Sequence, residues 1–304
     1  MANVNNRIKK PQALTVNGID AGGMMSANIN CGYDNVLKTP ADGLSVPLKD
    51  KEIQFCRGSM VTQDWVHAIG LLTGAVGTAV FYERESGAAT YTKHTITNPV
   101  IHNMSLSTNK GGYAQVSFDF ECKAADETKG FTDMWAIESG QTAPTDVTAA
   151  RGGFRVESCK HDPDGVSEIV IYHIMGLNFS ISMPLTRACN DTDVGYTAVD
   201  AETDAMQIAG SLNFQDASVS TSVMAQQLLA ASAADLELQL TQSQGATDKV
   251  LTIANVDFNT VGESPDVGSA FSGFTANFDI ANAADTPLTL DGDNKIMTIE
   301  DYVA

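Results

Sequence analysis

The chain has 304 residues, of which 43% are hydrophobic and only 18% are charged, which is enough apolar sequence for one large core or two ordinary ones. Its 37 acidic and 18 basic side chains give a formal charge of −19. This balance argues against a protein that binds nucleic-acid phosphates through Lys and Arg, or one that lies on an anionic membrane. The polar start MANVNNRIKK and the absence of an apolar run of about 20 residues predict a soluble chain that is not exported.

The first clear element in chain order is a strand at 24–30, MMSANIN, in which polar and apolar residues alternate. Because successive side chains of a strand point to opposite faces, one face would be polar. That face would carry Ser26, Asn28 and Asn30. The polar segment 31–52 follows, and we predict it to be a long arm loop. Loops of about 20 residues are uncommon inside compact domains unless they contact something else, so we expect this arm to serve assembly.

The phrase GSMVTQD at 58–64 comes next and leads into apolar residues at helical spacing over 65–76. A Gly-Ala turn, a long Thr- and Val-rich strand, a second turn and the strand SFDFEC then complete the unit. The Gly- and Thr-rich segment 125–153 is predicted to be a linker. It contains one apolar patch around Trp135, which we expect to dock on a neighbouring surface.

The same order of elements then recurs about 152 positions later. The alternating strand LNFSIS at 177–182 would expose Asn178, Ser180 and Ser182, and a second polar arm at 183–205 follows it. The phrase GSLNFQD at 210–216 again precedes apolar residues at helical spacing, and the unit ends in NFDIAN. This repetition predicts a duplicated fold. The predicted boundaries are a first domain at 12–124, the linker at 125–153, a second domain at 154–283 and a C-terminal extension at 284–304. The extension is predicted to form two short strands around the turn DGDN, as an edge or as an extension that pairs elsewhere.

Candidate catalytic and metal-binding patterns are weak throughout the sequence. Five cysteines form no CxxC pair and suit a reducing cytoplasm as core or loop residues. The segments HDPD (161–164), DTDVG (191–195) and DGDN (291–294) are better explained as turns than as metal loops. No GxSxG, GxxxxGK or GxGxxG motif occurs. We therefore predict no enzyme activity, no cofactor and no metal site.

Several of these segments together resemble the tail-tube fold of long-tailed bacteriophages. They are LTVNGIDAGGMMSANI (14–29), the first arm, the strand before GSMVTQD, the short helix near Leu71 and Leu72, and the closing pair NPVIHNMSLS and YAQVSFDFEC. The second half, 176–283, resembles the same fold again. The resemblance implies a mainly β chain of two tandem β-sandwich or barrel domains, each with one short α-helix and a long arm loop. A fused pair is similar to the trimeric members of the family, in which three chains form a pseudo-hexameric ring.

The resemblance implies a structural virion protein whose rings stack into a tail tube, assembled in the cytoplasm of the bacterial host. The implied partners are further copies of the chain and other tail proteins, namely the tape measure, the terminator and the tip. DNA would pass through the bore without specific binding, because an acidic wall repels a polyanion. The strands best placed to line that bore would present lumen-facing Ser26, Asn28, Asn30, Asn178, Ser180 and Ser182.

Two other functions stay open at this point. A tail-tip or baseplate hub protein also places two tube domains in one chain, although such hubs usually carry further domains. A carbohydrate-binding β-sandwich would be expected to show an exposed aromatic cluster, and this chain has two Trp and 7% aromatic residues. The six polar side chains would also fit an ordinary exposed sheet face.

Overall fold

A computed structural model describes most of the chain. The residues that it leaves undescribed are 1–8, 17–18, 22–23, 39–47, 64–77, 86–87, 110–111, 125–129, 143–153, 162–168, 172–173, 191–192, 203–204, 216–226, 243–247, 265–272, 282–294 and 302–304. The described part is mainly β, with antiparallel sheets in a sandwich-like arrangement, so the predicted fold class is confirmed. No helix within it is long and apolar enough to cross a membrane.

The strands divide into two halves along the chain. The first half contains β1 (Lys9–Val16), β2 (Ile19–Ala21), β3 (Met24–Lys38), β4 (Leu48–Thr62), β5 (Thr78–Glu85), β6 (Tyr91–Thr97), β7 (Pro99–Asn109), β8 (Gln115–Cys122) and β9 (Trp135–Gln141). The second half contains β10 (Phe154–His161), β11 (Ile169–Ile171), β12 (Ile174–Ser182), β13 (Leu185–Ala188), β14 (Ala198–Ala201), β15 (Gln207–Phe214), β16 (Ala234–Gln242), β17 (Lys249–Ser264), β18 (Gly273–Ile280) and β19 (Met297–Asp301).

Two short helices accompany the strands in the described residues. Helix α1 (Phe131–Met134) precedes β9, and α2 (227–230) precedes β16. In α2 the side chain of Leu228 is buried and that of Leu229 is exposed, as expected for a helix that packs one face on a sheet. The helix predicted near Leu72 lies outside the described residues.

The two halves pair their strands in the same order. One layer of the first half runs β3-β4-β8-β7, and the second half contains β12-β15-β18-β17. The other layer runs β2-β1-β5-β6-β9 in the first half, and in the second half β11-β10-β16-β17 with β19 also on β17. The long strand β17 therefore takes the places of both β6 and β7. A pairing of β7 with β12 joins the two halves into one long sheet.

The register of the pairing is repeated as well. Gly58 lies between Ile29 and Phe120 on the adjacent strands. Gly210 lies between Phe179 and Phe278 in the second half. A side chain has no room at either glycine, because a Cβ would collide with the carbonyl oxygen of Asn28 at Gly58 and with the Phe278 ring at Gly210. The two copies of the repeated phrase thus begin at corresponding positions in the two halves of the long sheet.

Irregularities of the sheet also recur at corresponding places. Three bulges of the first half each have a counterpart in the second half. The matching pairs are Pro11/Ala13 with Val156/Ser158, Met24/Ser26 with Ile174/Gly176, and Ile101/Asn103 with Phe258/Thr260. Asn98 and Asn255 have positive φ values of 49° and 50°, a conformation that asparagine tolerates better than most residues. Their carbonyl oxygens accept hydrogen bonds from the backbone N–H groups of Lys123 and Ala281, respectively. Each asparagine marks the point where the chain passes from one layer to the other.

The predicted linker and C-terminal extension each contain a sheet strand. The segment 125–153 includes β9, which pairs with β6, and its Trp135 donates a hydrogen bond from Nε1 to His94 Nδ1 at 3.2 Å. The segment 284–304 includes β19, which pairs with β17. Strand β9 pairs with β6 at Ile96, and β19 pairs with β17 at Ile253, which is the residue that corresponds to Ile96 in the second half. The two segments are therefore counterparts of each other.

The arms differ from the open loops predicted for them. Strands β3 and β4 continue as a paired hairpin through 31–38 and 48–52, and the second arm at 183–205 contains the hairpin β13–β14. The physical reason is that every backbone N–H and C=O group needs a hydrogen-bond partner, and pairing within a hairpin supplies it locally.

The hydrophobic core lies between the layers. It is dominated by aromatic and aliphatic side chains from alternate positions of the long sheet, which are Met60, Met104, Leu106, Phe118, Phe120, Phe179, Ile181, Leu212, Phe214, Phe258, Phe274 and Phe278. The opposite face of the same strands is therefore left to solvent or to other molecules.

Candidate functional site

The six predicted lumen-facing residues lie on the outer face of β3 and β12. Ser26, Asn28 and Asn30 are exposed, as are Asn178, Ser180 and Ser182. The intervening Phe179 and Ile181 are buried in the core. The chain brings the two groups onto one sheet, although β3 and β12 are separated by β4, β8 and β7.

The same outer face continues across strands for which no lumen-facing residue was predicted. Cross-strand partners follow one another in three rows that we call the polar face. The first row is Ser26, Val61, Ser117, Ser105, Ser180, Ala209, Asp279 and Asp257. The second is Asn28, Ser59, Asp119, Asn103, Ser182 and Gln207. The third is Gln115, Ser107, Asn178, Ser211, Asn277 and Thr260. Alternation in segments such as QVSFDF could have revealed the additional residues.

The chemistry of the polar face is uniform. None of the three rows contains Lys or Arg, and the charged members are Asp119, Asp257 and Asp279. Almost all the other members are Ser, Asn, Gln or Thr, which are short or uncharged. Outside the three rows, Asn30 has Arg57 as its cross-strand partner, and Arg57 lies opposite Glu121 and forms an ion pair with Asp34 at 3.2 Å. A nucleic-acid phosphate approaching the rows themselves would find three carboxylates and no cation, so the direct interaction there would be repulsive.

Hydrogen bonds join neighbouring short side chains on the polar face. The hydroxyl groups of Ser105 and Ser117 are 2.7 Å apart. Ser182 donates to Asn103 Oδ1 at 2.7 Å, and Asn103 Nδ2 donates to Asp119 at 3.3 Å. These side chains satisfy part of one another's hydrogen-bonding capacity, which leaves fewer groups free to hold a passing ligand.

A junction between the halves crosses the middle of the polar face. Strands β7 and β12 pair antiparallel from Asn109 opposite Gly176 to Asn103 opposite Ser182. On the core side of the junction Leu106 stands opposite Phe179, and both are buried. The junction therefore combines a backbone ladder, an apolar underside and a polar outer face.

The second arm covers part of the first half through a set of polar contacts that we call the arm contact. Arg187 donates two hydrogen bonds to Glu121, each at 2.7 Å, and the Glu121 side chain is only 2% exposed. Tyr196 donates to Asp34 Oδ2 at 2.7 Å, and Asp34 also accepts from Arg57 at 3.2 Å. Sequence reasoning did not find this site, because Arg187 and Glu121 are distant in sequence.

Backbone hydrogen bonds fix the same arm along its length. The N–H of Gln54 donates to the carbonyl of Val194 at 3.0 Å, and the N–H of Ala124 donates to that of Tyr196 at 2.7 Å. At the base of the arm the N–H of Met183 donates to the carbonyl of His102 at 2.8 Å. The arm is thus attached to the neighbouring half by main-chain and side-chain contacts together.

The arm contact perturbs the titration of its members. The hydrogen bonds with Glu121 raise the pKa of Arg187, which favours its charged form. Burial, with the hydrogen bond to Asp34, raises the pKa of Tyr196 to about 12. Burial also lowers the pKa of His102, despite the nearby carboxylates of Asp119 and Glu121. At neutral pH the arm contact therefore holds a charged Arg187 and a neutral Tyr196.

The five cysteines form no disulfide. Cys31, Cys56 and Cys122 lie close together, and the hydrogen bond with Cys56 raises the pKa of Cys31. The hydrogen bond with Cys122 chiefly raises the pKa of Cys56, so the thiols of Cys31 and Cys56 stay protonated. No group of three His, Cys, Asp or Glu residues suited to a metal ion occurs in the described ranges.

The candidate metal loops lie only partly in the described residues. Asp193 of DTDVG accepts hydrogen bonds on Oδ2 from the Asn190 N–H and the Thr197 hydroxyl, which is the behaviour of a turn residue. Of HDPD only the buried His161 is described, and DGDN lies outside the described residues.

Comparison with known proteins adds no family to this description. No protein-family model matches the chain, and no curated protein matches it either. A function must therefore be inferred from the polar face, the junction and the arm contact.

Proposed function

We propose that this chain is a structural protein of a bacteriophage tail whose rings stack into a tube for the passage of DNA. The observation that carries the proposal is the polar face, which spans eight strands and contains carboxylates but no Lys or Arg in its three rows. A conduit for DNA must not hold its cargo, and each cation that neutralises a phosphate would add salt-dependent affinity. An acidic wall of short polar side chains keeps a polyanion mobile.

The repeated register supports a chain built from two tandem copies of one tube-like unit. Two unrelated β-sandwiches would not be expected to share glycines, bulges and positive-φ asparagines at corresponding positions, as these two halves do. Because β9 and β19 are also counterparts, the units we propose are 9–141 and 154–301, wider than 12–124 and 154–283. Three such chains would supply six units to a ring, with threefold true symmetry and approximate sixfold symmetry.

The arm contact supports assembly through arms. Within one chain, the second arm binds the neighbouring unit through the hydrogen bonds from Arg187 to Glu121 of that unit and through backbone hydrogen bonds. The first arm would make contacts with a unit of another chain, either in its own ring or in the next. The remaining partners are other tail proteins, namely the tape measure, the terminator and the tip, and the site of assembly is the cytoplasm of the bacterial host.

Electron microscopy of the purified protein tests the proposal. We expect negatively stained samples to contain hollow rings or stacked tubes at concentrations where sedimentation shows association. The matched control is a chain with residues 39–47 of the first arm replaced by a short Gly-Ser linker, which should fold but assemble poorly. A protein that stays monomeric and forms neither rings nor tubes over a wide range of concentration and salt would contradict the proposal.

A further inference from the structure

The long sheet has two open edges whose counterparts inside the same chain are paired. Among the described strands, β3 pairs only with β4, and the end of β17 from Phe258 to Ser264 pairs only with β18. The counterpart of β3 is β12, and the counterpart of this end of β17 is β7. Strands β12 and β7 pair with each other at the junction. The junction therefore shows what kind of strand each open edge would accept.

The two open edges differ in the features that normally prevent edge pairing. Residues 24–32 of β3, MMSANINCG, contain no charge and no proline. The end of β17, FNTVGES at 258–264, contains no proline and one charged residue, Glu263, whose counterpart at the junction is the buried Leu106. Natural edge strands are usually protected by Lys, by Pro or by inward charges. The β3 edge is long and has neither charge nor proline, so it is suited to accept another strand, whereas Glu263 is a charge that the β17 edge would bring to the pairing.

The side chains beneath these edges are only partly covered. Cys31 and Val261 pack against the core but are not fully buried. Their counterparts at the junction are Ile181 and Met104, which are 0% and 1% exposed. The difference is the missing neighbour strand, because pairing at the junction covers the apolar underside that the open edges leave accessible.

We propose that a second copy of this chain fills each edge, so that the end of β17 in one copy pairs antiparallel with β3 of the next in the register of the β7–β12 junction. This inference rests on the proposed ring and specifies its contact. Transferring the junction register places Asn30 opposite Gly262 and Cys31 opposite Val261. It also continues the polar face from one copy to the next without a break.

Paired cysteine substitutions test that register. In a background with Cys31→Ala and Cys189→Ser, Asn30→Cys combined with Gly262→Cys should form a disulfide between chains on mild oxidation. Nothing lies within 4 Å of a Cβ at Gly262, so the new side chain fits. The matched geometric control is Ser105→Cys with Ser180→Cys, which stand opposite each other at the junction and should crosslink within one chain.

A register control and the size of the products complete the experiment. Ser26→Cys with Gly262→Cys would place the sulfurs four residues out of register, too far apart for a disulfide, and should give less than about a tenth of the interchain product. The expected result for Asn30→Cys with Gly262→Cys is a non-reducing ladder that stops at three chains. If the in-chain control forms and the interchain product does not, the inference is wrong.

Microscopy of the same samples separates this inference from the proposed function. Rings or tubes without the interchain disulfide would overturn the edge register and leave the proposed function standing. Crosslinked chains that extend beyond three copies as open filaments, without rings, would support the edge pairing and contradict the proposed ring.

Discussion

Replacement of Arg187 by alanine tests whether the arm contact is a firm attachment. The guanidinium is the bidentate partner of Glu121, whose side chain is 2% exposed. Arg187→Ala leaves that carboxylate buried with its charged partner gone. The structure therefore predicts a loss of stability well above that of an ordinary surface substitution.

The magnitude follows from the exposure of the two partners. Removing one member of a buried ion pair costs about 3–5 kcal/mol, because the remaining charge is uncompensated. Arg187 itself is 35% exposed, so water can enter the vacated space and solvate Glu121 in part. We therefore expect about 2–3 kcal/mol, which is on the order of a 30- to 150-fold shift in the equilibrium between attached and released arm.

The assay combines denaturant unfolding with hydrogen exchange of the arm amides. Arg187→Ala should lower the free energy of unfolding or, if the arm opens alone, speed exchange at the N–H groups of Gln54 and Ala124, which bond to the arm. The control is Lys93→Ala, which breaks the exposed Lys93–Glu138 pair at 3.5 Å and should cost about 0–1 kcal/mol. Equal effects of the two substitutions in both measurements would refute the reasoning.

Three further predictions address the sheet, the pH response and the polar face. Gly58→Ala should lower the free energy of unfolding by about 1–3 kcal/mol, because the new Cβ would meet the Asn28 carbonyl oxygen. Gly262→Ala, with open space around it, should lower it by less than about 0.5 kcal/mol, and equal losses would contradict the close strand approach at Gly58. Burial lowers the pKa of His102, so the unfolded chain binds that proton more readily and stability should fall as the pH drops below about 6.5; His102→Asn should flatten this part of a stability-against-pH curve. Ser180→Lys, at an exposed position, should leave unfolding unchanged but give assembled protein a salt-dependent affinity for DNA, measured by anisotropy of a labelled duplex; unchanged DNA binding would count against a lumenal position.

Local pattern predicted one part of the site well. Polar side chains alternate with apolar ones in β3 and β12, and a strand with one buried face must expose the others, so the exposure of Ser26 or Ser180 follows from sequence. The repeated phrase likewise pointed to corresponding positions, because Gly58 and Gly210 each allow a close approach by a neighbouring strand or ring.

The remaining features depend on contacts between distant parts of the chain. Nothing near Glu121 in sequence indicates that Arg187 will pair with it, and an acidic residue in a strand is usually solvated. The choice of β7 as the partner of β12 is also non-local, since any exposed edge offers the same backbone groups. For the same reason the sequence predicts only a linker where β9 pairs with β6, and it predicts short strands in the extension without indicating that β19 pairs with β17.

Near-atomic imaging of the assembled protein by cryo-electron microscopy tests the central claim most directly. We expect three chains per ring, six similar units around the bore, and Ser26, Asn28, Asn178 and Ser180 facing the lumen with no Lys or Arg in their rows. A ring of six chains, or an assembly in which these side chains are covered by protein while cations line the channel, would contradict the claim.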